Sequence, residues 1–557
     1  MGDHARHMKA TLFRSAAPAR ERPMKSAAIG QALALTTTLF HLGGCSTLPP
    51  GADFPKQAST AYVDRGVDRL EVRSPPDGAV DAGRSAFRML SSGEDGFAAR
   101  VQMVRAAKHS LDLQYFIFRG DSTGLLLTQS ILAAADRRVR VRILVDDGST
   151  VAGDEQLEDL SAHPNIEVRV FNPFHYRGHL PLFRALDFAF ERGRVDYRMH
   201  NKLFVADNAV ALVGGRNVGD EYFQVSPEGQ FADDDVFVGG PLVQQLSATF
   251  DDYWNSSLAV PAQALAGGKA ARARLERRRA SLNAFWLGAF ESGADYVKRA
   301  DGGEPLSSML SGEPPLVWSA GKVVCDSPDK RAVLTERKRG RLLYPPVASA
   351  LSGVQSEFLM ITPYLIPTPD ELALLRGMRE RNVRVRILTN SLDSTNELSA
   401  QSGYMRYRRQ LLQEGVELYE VRRMLGPNSR GTGQSRALSR YGHYGLHGKL
   451  LIFDRRSLYA GSMNFDERSR RLNTEVGVIV ESPALAAESA ARFEAMTQPQ
   501  SAYAVTLRPG VADKAAVMVW RTLENGKLVE FTREPSYSLR RRLEAMLLSL
   551  MPIEREL

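Results

Sequence analysis

One constellation of residues occurs twice in this chain, and an internal duplication restricts the possible folds more than any composition could. In YRMHNKLFVAD, His200 stands two residues before Lys202 and seven before Asp207; in YGLHGKLLIFD, His447, Lys449 and Asp454 repeat that spacing. An asparagine follows each histidine by 17 residues, Asn217 in VGGRN and Asn464 in AGSMN. The agreement reaches beyond the motifs. VRVRIL at 139–144 recurs at 383–388, an offset of 244 against 247 for the histidines. Apolar runs precede both hexapeptides, SLDLQYFIF from Ser110 and SEFLMITPYLIP from Ser356, with helical patterns between at 125–138 and 371–381. Strand, helix, strand predicts a parallel βαβ unit. DVFV from Asp235 and EVGVIV from Glu475 add a matching later strand. Matches in one order at a nearly constant offset imply a duplicated α/β unit of roughly 180 residues.

The repeated residue types carry a chemistry. On an extended segment, residues i and i+2 share a face, so His200 points with Lys202 and His447 with Lys449. Leu203–Val205 and Ala209–Val213 read as a hairpin. Folding about the point between 208 and 209 would bring Asn217 beside His200, and folding between 455 and 456 would bring Asn464 beside His447. Gly214 and Gly215, or Gly461 and Ser462, would let backbone approach a substrate. An imidazole, an ammonium and a carboxamide suit a phosphate group, with the imidazole free for nucleophilic or proton-transfer work. A divalent metal fits poorly, because a lysine beside each histidine repels it and no His/Cys/carboxylate ligand spacing is nearby. One half has a nucleophile but no second group to protonate a leaving oxygen. Two halves about a pseudo-two-fold axis supply both, one histidine attacking phosphorus and the other acting as general acid and then base.

Composition narrows the setting. A formal charge of +8 favours an anionic partner, nucleic acid or an acidic lipid surface. Two cysteines, Cys45 and Cys325, cannot make a disulfide framework or a zinc cluster. MKSAAIGQALALTTTLFHLGGC offers a lysine, an apolar run too short and polar for a membrane span, and small residues before Cys45. It resembles a bacterial lipoprotein signal, with Cys45 as the lipid anchor of a mature chain facing the periplasm. Ser46 resembles an outer-membrane sorting signal, whereas an enzyme of lipid synthesis would meet its lipids in the inner membrane. Met24 is a second plausible start.

His-x-Lys-x4-Asp followed by Gly-Gly/Ser-x-Asn, in two copies, resembles the phospholipase D superfamily over roughly residues 86 to 500, and RMHNKLFVADNAVALVGGRNVGDEYF resembles its cardiolipin synthase branch. The resemblance implies two duplicated phospholipase D-like α/β lobes packed about a pseudo-two-fold axis, sharing one active site at their interface, with no metal and no cofactor. Its candidate catalytic residues are His200, Lys202, Asp207, His447, Lys449 and Asp454, with the two aspartates, placed in turns, expected to be structural. It further implies a covalent phosphohistidine with His200 as nucleophile and His447 as general acid. Asn217 and Asn464 would hold the phosphoryl oxygens, and Asp235 and Glu475, opening the next strand, would orient the histidines. Arg216, replaced by Met463 in the second copy, could supply a charge to one half only. The expected organisation is a leader at 1–44, a linker at 45–85, a first lobe at 86–260, a connecting segment at 261–315, a second lobe at 316–500 and an extension at 501–557.

The implied partners are phospholipids, phosphatidylglycerol and also phosphatidylethanolamine, at a membrane surface; an accessory protein is left open, as are water or a lipid alcohol as acceptor. An exported nuclease is disfavoured because RNP-type aromatic interleaving is absent. A non-catalytic membrane scaffold is disfavoured by the two intact motifs. HLPLFRALDFAF at 179–190 could receive acyl chains or be ordinary core. The basic run at 271–280 reads as a solvated helix face, and the Gly/Ser/Arg-rich stretch from Gly426 as a loop at the edge of the site. At the C-terminus, Leu539, Leu543, Met546, Leu547 and Leu550 share one helical face beside Arg540, Arg541 and Arg542. That face is expected to pack on the body; the alternative is a helix lying on an anionic membrane.

Overall fold

The computed structural model describes residues 52–63, 70–73, 75–148, 154–176, 187, 190–266, 271–423, 443–510, 515–536 and 538–550. The leader, Cys45 and the stretch 424–442 lie outside these residues, as does 179–190 apart from Asp187 and Phe190. No helix of the described residues is long and apolar enough to cross a membrane.

Two mixed sheets, of nine and ten strands, carry the two copies. In the first, Ser110–Tyr115 runs parallel to Arg140–Asp146, and that strand parallel to Ile166–Phe171. In the second, Glu357–Ile361, Arg384–Asn390 and Glu417–Val421 repeat the arrangement. The connecting helices form because their ends are capped: Asp121 accepts from Gly124 N ahead of Ser122–Asp136, and Thr368 and Glu371 make a capping box ahead of Pro369–Glu380. The strands are apolar on both sides because both faces are covered. Phe204 and Ala206 face a helical core on the outside of the first sheet, and Leu451 and Phe453 the corresponding core of the second. Leu203, Val205, Leu450 and Ile452 join one central core shared by both sheets. Burial of each such large side chain contributes about 1.5–3 kcal/mol, so the lobes are held together by the same layer that sets their strands.

Both motif hairpins form, with a register one residue different from expectation. Leu203 pairs with Val213 and Ala206 with Val210, centring the turn on Asn208; Leu450 pairs with Ala460 and Phe453 with Ser457, centring it on Arg455. Asp207 and Asn208, and Asp454 and Arg455, adopt left-handed backbone, which tightens each turn. The strands end at Gly214 and Gly461. Asn217 therefore sits beyond its strand, where Val218 bridges Phe118.

The lobe boundaries differ from the expected ones. Val317–Ser319 pairs with Ser85–Phe87 in the first sheet, and Gly321–Cys325 with Val476–Val480 in the second, so the chain crosses between sheets at Ala320. Within the expected extension, Ala502–Arg508, Val517–Glu524 and Lys527–Phe531 add three strands to the second sheet. The basic run lies in the helix Ala271–Glu291, with Leu275 buried and Arg274 paired to Glu158 and Asp159.

Candidate active site

Each histidine is delivered by one half and held by the other. His200 N donates to Thr474 O, and His447 N donates to Ala232 O. Beyond those carbonyls come the acids. His200 Nδ1 lies 2.9 Å from Glu475 Oε2, and His447 Nδ1 lies 2.6 Å from Asp233 Oδ2. The strand ends below repeat the symmetry: Asp146 accepts from Met199 N at 2.8 Å, and Asn390 Oδ1 from Leu446 N at 2.8 Å. Each motif histidine is thus fixed in position by its own half and in tautomer by its neighbour's carboxylate.

Asp233 takes the place expected of Asp235. Asp235 accepts from Arg100 at 2.8 Å and lies 3.3 Å from Arg216, three side chains with almost no exposure. Strand pairing explains the difference. Gly214 opposes Asp235 and its counterpart Gly461 opposes Gly477, so the residue equivalent to Glu475 is Asp233. Residues two apart share a face of a strand, and periodicity alone could not choose between them. Arg216 is also relocated. Its guanidinium donates to the carbonyls of Leu90, Ser91 and Asp233, and its charge acts on the site through the Asp233 carboxylate.

Asp207 and Asp454, grouped with the catalytic candidates by the motif, stand at the far ends of their strands. Asp207 accepts 2.8 Å bonds from the backbone of Lys108, His109 and Ser110. Asp454 does the same for Gln355, Ser356 and Glu357. Both tie the hairpin turn to the start of the strand that lies antiparallel to the motif strand, and neither contacts His200 or His447.

Lys202 and Lys449 share the cleft. Lys202 Nζ donates to His200 O at 2.6 Å, and Lys449 Nζ lies 3.2 Å from His447 Nε2. Burial pushes both ammonium groups down, Lys449 to about 8. Burial, Lys202 and Lys449 hold the His200 imidazole well below its usual range; burial and Lys449, partly offset by Asp233, bring His447 to about 3. Both rings are therefore neutral at rest, each donating Nδ1–H to its acid and keeping Nε2 as a lone pair.

The acids differ. Burial would raise Asp233, but His447, Lys449 and Arg216 outweigh it and keep that carboxyl well below the usual range. Burial raises Glu475 to about 7, against the pull of Lys202, the Ser462 hydroxyl and Lys330. Ser462 and Ser469 donate to it, and Asp326 Oδ2 fixes its backbone N at 2.9 Å. At the position of Ser462 the first copy has Gly215, where a Cβ would lie 2.1 Å from Asp233 Oδ1. Of the amides, Asn217 Oδ1 accepts from Ile117 N, while Asn217 Nδ2 and Asn464 Oδ1 are buried without a well-formed hydrogen bond. Rotating the Asn464 amide would present its Nδ2 instead. Phe116 meets His200 edge-on at 4.9 Å and Tyr222 meets His447 at 5.0 Å.

Sequence reasoning missed Asp233, Ser462 as a donor, Ser469, Asp146 and Asn390. The last two stood at the ends of the repeated strands and shared the 244-residue offset. Among the described residues no group of three or more His, Cys, Asp or Glu could hold a metal ion.

The family model described as "Cardiolipin synthase, PLD-like domain" matches residues 101–254 and 347–497. The chain is 34% identical over 475 residues to cardiolipin synthase C of Escherichia coli (strain K12), covering 85% of this chain and 96% of that one. It is 26% identical over 396 residues to the cardiolipin synthase of Halalkalibacterium halodurans, covering 71% and 62%. The crystal structure of phosphatidylserine synthase from Haemophilus influenzae Rd KW20 aligns with a TM-score of 0.48 at 14% identity, over 83% and 91% of the two chains.

Proposed function

The chain belongs to the phospholipase D-like family of the cardiolipin synthases, and from that premise we propose that it moves a phosphatidyl group from one phospholipid to the alcohol of another, forming cardiolipin through a phosphohistidine. The observation that carries this reading is the crossed pairing, His200 with Glu475 and His447 with Asp233, which puts two oriented imidazoles and two lysines in one buried cleft.

The steps follow from the charges. Lys202, Lys449 and the amides of Asn217 and Asn464 receive the phosphodiester anion. Its negative charge offsets the lysines, so an imidazole in the complex takes up a proton that it cannot hold in the free enzyme. Asp233 is the stronger anion, and His447 is therefore the ring that carries that proton. His200 Nε2 attacks phosphorus and the P–O bond to the leaving alcohol breaks, with His447 donating the proton to that oxygen. His447 then takes the proton of the acceptor hydroxyl, whose oxygen attacks phosphorus and breaks the P–N bond, freeing His200. Phosphatidylglycerol supplies the accepting glycerol hydroxyl, and phosphatidylglycerol or phosphatidylethanolamine supplies the phosphatidyl group, releasing glycerol or ethanolamine. The reading includes a lipid anchor at Cys45, holding the body on the periplasmic side of a bacterial membrane.

The test is mass spectrometry of lipids formed by the intact chain and by its His200→Ala variant on mixed phosphatidylglycerol and phosphatidylethanolamine vesicles. Cardiolipin formed only with the intact histidine is the expected result. Phosphatidic acid instead would make the chain a hydrolase, and no new lipid would overturn the reading.

A further inference from the structure

The C-terminal helix Leu539–Ser549 turns its apolar stripe outward. Leu539 is 79% exposed, Leu543 54%, Met546 50% and Leu547 54%, and Leu550 just past the helix is 77% exposed. A helix that packs on a protein body does the reverse. Here the attachments are polar or small: Ala545 is buried, Arg541 Nε donates to Leu392 O at 2.7 Å, and Arg406 of the helix Leu398–Gln413 donates to Ser549 O at 2.8 Å. Scattered exposed leucines need no explanation, but four leucines and a methionine on one face form a patch that soluble surfaces rarely carry. The stripe has charged borders. At 100° per residue Arg540 lies on one side of it and Arg542 on the other, and the Arg540 side chain is 87% exposed. Apolar residues flanked by arginines match an acyl layer beneath anionic headgroups.

The attachment also leads to the catalytic cleft. Arg541 holds the carbonyls of Leu392 and Thr395. Between these residues, Ser394 Oγ donates to Asn390 Oδ1, and Asn390 Nδ2 donates to Leu446 O, the residue before His447. One short loop thus touches the helix on one side and the His447 segment on the other.

We propose that this helix is an interfacial element, with Leu539, Leu543, Met546, Leu547 and Leu550 inserted in the outer layer of an anionic phospholipid bilayer, seating the His447 side of the cleft at the headgroups. The proposal rests on the phospholipid reading above, since only a lipid substrate requires the cleft to meet a bilayer. The test uses the full chain carrying Cys45→Ser and Cys325→Ser, so that no lipid anchor contributes, with an environment-sensitive fluorophore on Met546→Cys or, as control, on Ser352→Cys at the exposed end of another helix. On vesicles of phosphatidylglycerol and phosphatidylethanolamine, the label at 546 shifts to the blue and is quenched several-fold by lipid-borne quencher, while the label at 352 stays aqueous. Arg540→Glu with Arg542→Glu weakens vesicle partitioning about tenfold or more. A 546 label that stays aqueous on vesicles overturns the proposal. So does a blue shift without lipid: doubled mass by light scattering would then assign the face to a second copy, and unchanged mass to another segment of this chain. Docking is read without turnover and holds in a His200→Ala background, so its failure is distinct from failure of the enzymatic reading.

Discussion

Asp233 and Asp235 are two residues apart and both buried, yet the structure gives them separate work, and their amide variants should fail in opposite ways. In Asp233→Asn the residue keeps its shape but no longer offers an anionic acceptor to His447 Nδ1–H, so the wrong tautomer is favoured and an imidazolium at His447 loses its counter-charge. General acid–base catalysis is worth about 10²–10⁴ in rate, or about 2.7–5.4 kcal/mol at 1.36 kcal/mol per decade. Turnover should fall by that factor while the fold survives, since the variant retains hydrogen-bonding groups at the site. In Asp235→Asn, Arg100 loses its 2.8 Å partner in a fully buried pair. Removing one member of such a pair costs about 3–5 kcal/mol, so the melting temperature should drop sharply while the folded fraction keeps its kcat. The assay is cardiolipin formation per folded molecule, alongside thermal unfolding by circular dichroism. Loss of kcat in folded Asp235→Asn, with Asp233→Asn fully active, would refute the strand-register argument.

Other consequences are narrower. Glu475 must be ionised to hold Nδ1–H of His200, and with its pKa near 7 the rate should rise as pH climbs through that value. Lys449 must be charged to bind the anion and loses its proton near 8, so the rate should fall above it; Glu475→Gln should remove the acid limb, and a flat profile would contradict both assignments. For Asp207→Ala, three backbone donors lose a carboxylate acceptor, and about 3–5 kcal/mol of stability should go with little effect on kcat of the folded enzyme; a variant that melts normally but is inactive would return Asp207 to the catalytic set. Ser462→Gly makes the second copy resemble the first at that position and removes one donor to Glu475; the carboxyl pKa should rise further, moving the acid limb to higher pH, and an unshifted limb would show that the hydroxyl does not tune the acid.

The duplication, the parallel βαβ units and the convergence of His200, Lys202, His447 and Lys449 were legible because spacing and period are properties of the chain itself. What could not be read depended on partners distant in sequence. Whether Asp233 or Asp235 meets His447 turns on which residue opposes Gly214, and a two-residue slip preserves every face. The half-residue difference in hairpin centre came from turns of three residues, 207–209 and 454–456, which mirror folding about a point between two residues does not anticipate. Arg216 looked like a cleft cation because its motif neighbours face the cleft, yet the carbonyls of Leu90, Ser91 and Asp233 draw it into the body. The C-terminal helix showed its amphipathic face in sequence, but the side that packs is the small and polar one, around Ala545 and Arg541.

The central claim is that His200 carries the phosphatidyl group while His447 handles the proton. In the His447→Ala variant the first step should outlast the second when the leaving alcohol is good, so a phosphodiester lipid with an activated phenolic leaving group should load the enzyme. Rapid alkaline quenching, proteolysis and mass spectrometry should then find the phosphatidyl mass on the peptide containing His200. The same mass on the peptide containing His447 in a His200→Ala chain, with nothing on His200 in the His447→Ala chain, would contradict the account.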